Sequence, residues 1–349
     1  MEKTVHLQNI VQPLLSWYDE NKRDLPWRRD VTGYRVWVSE IMLQQTRVEA
    51  VKPYYERFLE ELPTIEALAN APEDKLLKLW EGLGYYSRVR NMQKAAKVIV
   101  NELGGVMPDT FEGLKKLPGI GEYTAGAIAS IAFGRQVPLV DGNVLRVISR
   151  IVESYEDIAK ASLKKEMAEE LSAIVPADRP GDFNQSLMEL GATVCLPNGM
   201  PLCGACPVKN LCLANEKGVI DRIPQKSPKA KRKVEAITVL VLQDADGRIG
   251  IRKRGRGGLL SGMWEFPNLL GHLTGEEAEA KLTELGLNPK RMVRLSGHKH
   301  IFTHVEWHMQ GYFFEVDGLG PNGLVWVLPH ELMAHYALPS AFGPYKSIL

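Results

Sequence analysis

From the start of the chain to about Leu213, apolar residues recur three and four positions apart, with Pro and Gly between the periodic stretches, which predicts a region built of helices. Leu7, Ile10, Val11, Leu14 and Leu15 make one such stripe, ending before Lys22. Further helices are read around Tyr34–Thr46, Arg88–Leu103, Tyr123–Phe133, Val144–Val152, Ser162–Ile174 and Phe183–Thr193. The texture then changes. Lys226-Ser-Pro-Lys-Ala-Lys-Arg-Lys233 is basic, contains Pro and offers no core, so it reads as a linker. Beyond it Val234–Leu242 is β-branched and strand-like, Asp244-Ala-Asp-Gly247 supplies a turn, and Ile249–Lys253 a second strand. The pattern predicts a multidomain chain: an all-α region over 1–220, a basic linker over 221–233 and a smaller α/β domain over 234–349.

Length and composition fit that division. The chain has 349 residues, 45% of them hydrophobic, enough to bury two cores. No apolar run approaches a membrane span, and the first residues lack the long apolar stretch of a signal peptide, so a soluble, cytoplasmic protein is expected. A net charge of +1 gives no global attraction to nucleic acid. Any such binding must come from local basic patches and backbone donors.

The four cysteines fall in one run, Cys195-x7-Cys203-x2-Cys206-x5-Cys212. Secreted disulfide scaffolds are short and rich in cysteine, which this chain is not, so the cluster points to a metal centre. Structural zinc commonly takes two close Cys-x-x-Cys pairs; this run has one such pair and two outlying cysteines, which suits a cubane of iron and sulfide, with zinc as the alternative.

Leu117-Pro-Gly-Ile-Gly121 separates a short amphipathic segment, Phe111–Lys116, from a helix of small residues. Gly119 and Gly121 let the backbone approach a large ligand, and the following helix start offers free N–H groups, an arrangement that suits a DNA phosphate. Glu40 shares a helical face with Val36, Trp37, Leu43 and Gln44. Such a setting disfavours its charged form and raises its pKa, as a general acid near neutrality requires. Asp141 follows Val137-Pro-Leu-Val140 and precedes Gly-Asn-Val, the position of a helix N-cap, where a carboxylate stays ionised and can stabilise positive charge on a sugar. Two carboxyls in opposite protonation states are what cleavage of a glycosidic bond needs.

The hairpin, the downstream acid and the cysteine run together resemble the endonuclease III superfamily of DNA glycosylases. Within it, Leu25-Pro-Trp-Arg28, Ser39-Glu-Ile-Met-Leu-Gln-Gln-Thr-Arg-Val48, Gly82-Leu-Gly-Tyr-Tyr-Ser-Arg88 and Val140-Asp-Gly-Asn143 are similar to the MutY family of adenine DNA glycosylases, over nearly the whole chain. The resemblance implies a helix-hairpin-helix glycosylase domain whose four cysteines bind a 4Fe-4S iron–sulfur cluster, followed by a MutT-like, Nudix-fold α/β domain. It implies removal of adenine mispaired with 8-oxoguanine, and less efficiently with guanine, from double-stranded DNA. A monomeric enzyme acting in the cytoplasm or, in a bacterium, at the nucleoid is the expectation that goes with it.

Carried over residue by residue, Glu40 would protonate the flipped adenine, Asp141 would stabilise the sugar cation and Asn143 would orient Asp141. Tyr123 stands with this catalytic set for what it is not: relatives that cut the strand place a Lys there, and a phenol forms no Schiff base with the sugar. A monofunctional enzyme with weak or absent lyase activity follows. Arg23, Leu25, Trp27, Arg28, Leu43, Thr46 and Gln185 resemble residues of the adenine pocket, Gln45 and Tyr85 the wedge that fills the helix when the base leaves. In the C-terminal domain Gly258-Leu-Leu-Ser-Gly-Met-Trp-Glu-Phe-Pro267 carries the likeness, and Phe302, Thr303 and His304 resemble a loop that reads 8-oxoguanine, with Thr where the family often has Ser. Glu276, Glu277 and Glu279 lack the order of a Nudix hydrolase motif and read as a solvated helix face, so no pyrophosphatase is expected. One departure is seven residues between Cys195 and Cys203 where the family usually has six, absorbed at Pro197-Asn-Gly199. Lys209, the basic linker and Arg252-Lys-Arg-Gly-Arg256 are candidates for DNA backbone contact. The competing readings are an endonuclease III-like enzyme for oxidised pyrimidines, a thymine or uracil mismatch glycosylase, and a DNA-binding iron–sulfur protein without catalysis.

Overall fold

The computed structural model describes residues 2–228, 231–255, 257–318, 320–321 and 323–349. In chain order the helices before the linker are α1 (Glu2–Gln8), α2 (Val11–Asn21), α3 (Gly33–Leu43), α4 (Val48–Glu61), α5 (Ile65–Asn70), α6 (Glu73–Leu79), α7 (Ser87–Glu102), α8 (Phe111–Lys115), α9 (Glu122–Ala127), α10 (Gly142–Ile151), α11 (Ala161–Ser172), α12 (Pro180–Thr193) and α13 (Leu213–Glu216). There follow β1 (Lys233–Gln243), β2 (Ile249–Lys253), β3 (Trp264–Glu265), β4 (Asn268–Leu270), α14 (Gly275–Glu284), β5 (Asn288–Ile301), β6 (Val305–Asp317), β7 (Leu324–Val327), α15 (Pro329–His335) and α16 (Gly343–Lys346). These elements form two compact units: residues 1–70 with 90–228, and residues 71–89 with 229–349.

The first unit is helical, as the periodicity predicts. Leu7, Ile10, Leu14 and Leu15 are buried in one cluster with Val144 and Ile148 of α10, Leu163, Met167 and Leu171 of α11, and Phe183 and Leu187 of α12. The N-terminal stripe is two helices and not one. Turns from Asn9 N to His6 O and from Ile10 N to Leu7 O close the first, and Pro13, which has no N–H to give, sits in the first turn of the second. Beyond α9 the chain does not continue as regular α-helix but as a π turn over Ile128–Ala132.

In the second unit the central strand β1 pairs with β6 in parallel and with β2 antiparallel, in the order β3-β2-β1-β6-β5. Its side chains alternate between two cores. Ile237, Val239 and Val241 pack with Leu332, Phe342 and Tyr345 from the α15–α16 end, while Leu240 and Leu242 pack with Ala278 and Leu282 of α14. The sheet is therefore covered on both faces. Residues 71–89 group with this unit although they lie far from it in sequence. Glu276, Glu277 and Glu279 are exposed on α14, and Glu277 closes a capping box with Thr274.

Candidate active site

A cavity of about 800 Å³ in the first unit gathers most of the residues singled out in that half of the sequence: Arg23, Leu25, Trp27, Arg28, Glu40, Leu43, Thr46, Tyr123, Asp141, Asn143 and Gln185 all line it. Glu40 projects from α3, whose start is capped by the Thr32 side chain accepting from Arg35 N. Only 5% of Glu40 is exposed. Burial pushes its pKa up to about 7, against the hydrogen bond it accepts from the Tyr123 hydroxyl; nearby Asp141 adds to the rise and Arg28 opposes it. Tyr123 itself also touches Met188 Sδ at 3.7 Å, and burial, with the two acids beside it, holds its hydroxyl firmly protonated.

Asp141 is the N-cap of α10. One carboxylate oxygen accepts from Val144 N at 2.7 Å and the other from Asn143 Nδ2 at 2.9 Å. Its environment is more balanced than an N-cap alone suggests. Burial raises its pKa, and the bonds from Val144 and Asn143 and the charge of Arg146 restrain that rise without reversing it. Both acids are thus shifted upward, Glu40 to about 7.

Another part of the lining is ionic and turns on a residue that sequence reasoning missed. Glu189, 1% exposed, takes a two-pronged bond from Arg23, Nε to Oε1 at 2.6 Å and Nη2 to Oε2 at 3.0 Å, and a third from Arg28 Nη2 at 2.8 Å. Burial alone would raise the Glu189 pKa; the bonds and charges of Arg23 and Arg28 overcome it and hold it at about 2. Arg28 Nε also donates to Gln185 Oε1 at 3.1 Å. Gln185 and Glu189 are four residues apart on α12 and so share a face. That spacing was the available signal.

Arg146, also not singled out, links the acids to the cysteines. Its Nη2 donates to Asn143 Oδ1 at 2.9 Å and to Gly191 O at 2.8 Å, and its Nε to Cys195 O at 2.9 Å. One turn on, Arg150 Nη1 donates to Cys195 Sγ at 3.2 Å. Cys195, Cys203, Cys206 and Cys212 line a second cavity of about 400 Å³ and are unpaired by disulfides. Burial pushes the Cys206 thiol up to about 12 and raises Cys203 and Cys212, so ionising them calls for a cation nearby. Among the described residues no three His, Cys, Asp or Glu side chains converge as one ion requires. Four cysteines around one cavity, with an arginine donor to one sulfur, are consistent with an iron–sulfur cluster.

Outside the two cavities, Gly119 has φ +76° and a Cβ there would lie 2.6 Å from Asn91 Cβ, so only glycine fits. At Gly121 nothing lies within 4 Å of a Cβ, and α9 starts there without a side-chain cap, leaving open backbone at the hairpin. Gln45 is exposed with φ 60°, and Tyr85 in the second unit has φ 47°, left-handed conformations that non-glycine residues rarely hold. Tyr85 Oη lies 2.8 Å from Thr303 Oγ1, so two predicted site residues of that unit meet. Phe302 is half-buried, edge-on to Trp307 with centroids 4.9 Å apart, while Thr303 and His304 are exposed at the tip between β5 and β6. Arg232 Nε and Lys233 N bond the carbonyls of Phe302 and His304.

The basic run Arg252–Arg256 does not offer the free charges its sequence suggests. Arg252 and Arg254 pair with buried Glu265, and Lys253 with Asp74 at 2.7 Å. Arg256, and Lys229 and Ala230 of the linker, lie outside the described residues.

Comparison with known proteins gives this arrangement a family. The model of the HhH-GPD superfamily of base excision DNA repair proteins matches residues 38–176, and that of the NUDIX domain residues 238–346. The chain is 38% identical to the adenine DNA glycosylase of Homo sapiens, over 88% of this chain and 67% of that one. It is 33% identical to that of Buchnera aphidicola subsp. Acyrthosiphon pisum (strain APS), over 85% and 84%. Among solved structures it is similar to a thermostable thymine-DNA glycosylase, with 30% identity, a TM-score of 0.54, and coverage of 62% of this chain and 98% of that one. An endonuclease III–DNA complex, at 21% identity and a TM-score of 0.53, covers 62% of this chain and 97% of its own and shares the helical fold. With a helical glycosylase unit, a NUDIX-type unit and relatives of one kind matched along most of its length, the chain belongs to the adenine DNA glycosylase family.

Proposed function

We propose that the protein excises adenine mispaired with 8-oxoguanine, or with guanine, from duplex DNA by hydrolysing the N-glycosidic bond, and leaves the strand intact. The observation that carries this reading is a deeply buried carboxyl, Glu40, whose pKa lies at about 7 in a cavity that also holds Asp141. Glu40 in its protonated form delivers the proton to the purine, so that the bond from the sugar C1′ to the base nitrogen breaks with its electron pair leaving on neutral adenine. Asp141, ionised for this step and steadied by Val144 N and Asn143, faces the cation left on the sugar until water adds and an abasic site results. Tyr123 holds Glu40 in place. The Arg23–Glu189–Arg28–Gln185 wall supplies fixed donors and acceptors for the edge of the base, with Leu25, Trp27, Leu43 and Thr46 completing the pocket.

Among the described residues no lysine lines the cavity, which favours a monofunctional enzyme over one that forms a Schiff base. Cys195, Cys203, Cys206 and Cys212 are the residues that would hold a 4Fe-4S cluster, which supplies a rigid electrostatic anchor when bound. Gly119 and Gly121 would take a DNA phosphate, Gln45 and Tyr85 the gap left by the flipped base, and Thr303 and His304, with Phe302, the edge of 8-oxoguanine. We retain the division into a catalytic region over 1–220, a linker and a lesion-reading domain over 234–349 as part of this proposal.

The test is a panel of duplexes with adenine opposite 8-oxoguanine, guanine, cytosine or thymine, and thymine opposite guanine, compared by single-turnover rate. Release fastest opposite 8-oxoguanine, then guanine, supports the reading; release of thymine from T opposite G in preference to adenine would replace it with a pyrimidine mismatch glycosylase.

A further inference from the structure

The turn that carries Tyr85 is built from conformations a chain does not adopt unaided. Gly82, Gly84 and Tyr85 have φ of 101°, 71° and 47°, and Tyr85 bears the steric cost that its glycine neighbours avoid. Something must hold it. Within the same unit Arg88, three residues on, closes the turn from beneath: its Nη2 donates to both Leu83 O and Gly84 O at 3.1 Å, and its backbone N donates to Tyr85 O at 2.9 Å. The guanidinium lies over the ring of Trp80 at 5.4 Å and the ring of Tyr85 at 5.6 Å. Trp80, fully buried, adds a bond from Nε1 to Gly84 O at 3.1 Å.

We propose that Arg88 is a positioning residue for Tyr85, fixing the turn and the ring so that the wedge is set before DNA arrives. The inference rests on the reading that Tyr85 enters the base stack. A planar fork that bonds two carbonyls while stacking on two rings is something lysine cannot reproduce. A pre-set wedge spares the complex the ordering of a loop at the moment of base flipping, so its loss falls on the flipping step more than on overall DNA affinity.

The experiment compares wild type, Arg88→Lys, Tyr85→Ala and the double variant. Two readouts are taken: the single-turnover rate on adenine opposite 8-oxoguanine, and the fluorescence rise of 2-aminopurine placed beside 8-oxoguanine, which reports unstacking without turnover. Urea melts of each variant exclude general unfolding. The expected result is a rate about ten-fold lower for Arg88→Lys, a smaller fluorescence rise, near-normal duplex affinity and a melt that stays cooperative with a modestly lower midpoint. In the Tyr85→Ala background Arg88→Lys then costs nothing further. An Arg88→Lys protein with wild-type rate and fluorescence, or losses that multiply in the double variant, overturns the proposal while leaving the glycosylase reading intact. A wild-type protein that neither releases adenine nor unstacks the probe overturns the functional reading, and this inference with it.

Discussion

Replacing Glu40 by Gln separates what the residue does for chemistry from what it costs the fold. A buried carboxyl with a pKa of about 7, against an ordinary 4.5, binds a proton more tightly folded than unfolded. The stability this confers is fully present below pH 4.5 and is lost as pH rises through about 7. The gap is about 2.5 pH units at about 1.36 kcal/mol each, so forcing the carboxylate to ionise in place costs roughly 3 kcal/mol by about pH 8.5. Glutamine keeps the shape and an acceptor for Tyr123 but never ionises. Glu40→Gln is therefore expected to be about 3 kcal/mol more stable than wild type at about pH 8.5 and within about 1 kcal/mol of it at about pH 5. In the melting of the helical unit that is an increase of about 6–12 °C at the higher pH. Urea melts at both pH values measure it, beside single-turnover adenine release. Release should fall by about 100-fold or more, which starts at the low end of the range for a lost general acid. A variant that gains the same stability at both pH values, or that releases adenine at the wild-type rate, refutes the assignment of Glu40 as a buried proton donor.

Three further outcomes follow from the same geometry. Since Glu40 works protonated, kcat/KM should decline above about pH 7, and Tyr123→Phe, which removes the bond that favours the carboxylate, should move that decline to higher pH; a pH–rate profile checks both. Glu189→Gln leaves Arg23 and Arg28 without their carboxylate and should destabilise by about 3 kcal/mol, the low end for a buried pair because Arg23 is 36% exposed. That penalty is present above pH 4.5 and should vanish as pH falls through about 2, read by melts across acid pH. Arg146→Gln breaks the links to Asn143 and the Cys195 carbonyl and should slow adenine release by about 10–100-fold with less effect on duplex binding, measured by single turnover and gel shift.

The sequence made the layout legible where one periodicity ran uninterrupted. The stripes on α10, α11 and α12 were readable because a buried face imposes its period, and β1 because its β-branched run suits a strand. The helix Val48–Glu61 was not, with Pro53 in its interior breaking the expected pattern, and the π turn after α9 leaves no mark that a run of small residues could carry. Motif positions led to Glu40, Asp141, Asn143 and the pocket, which the fold brings to one cavity. Glu189 and Arg146 escaped notice because an acid or an arginine on an amphipathic helix reads as solvated until its partners, 166 and 49 residues away, are known. The run Arg252–Arg254 misled for the same reason in reverse, since Glu265 and Asp74 take up its charge. Asp141 shows the limit of local reasoning on pKa: the helix start favours its charge, but burial, a property of the whole unit, outweighs it.

The reaction proposed for this protein is base removal by hydrolysis without strand cutting. Its most direct test is to incubate the protein in excess with a duplex carrying one adenine opposite 8-oxoguanine, identify the released base by chromatography, and examine the strand before and after hot alkali. Free adenine with a strand that breaks only after alkali is the predicted result; a different base, a strand cut before alkali, or no release would contradict it.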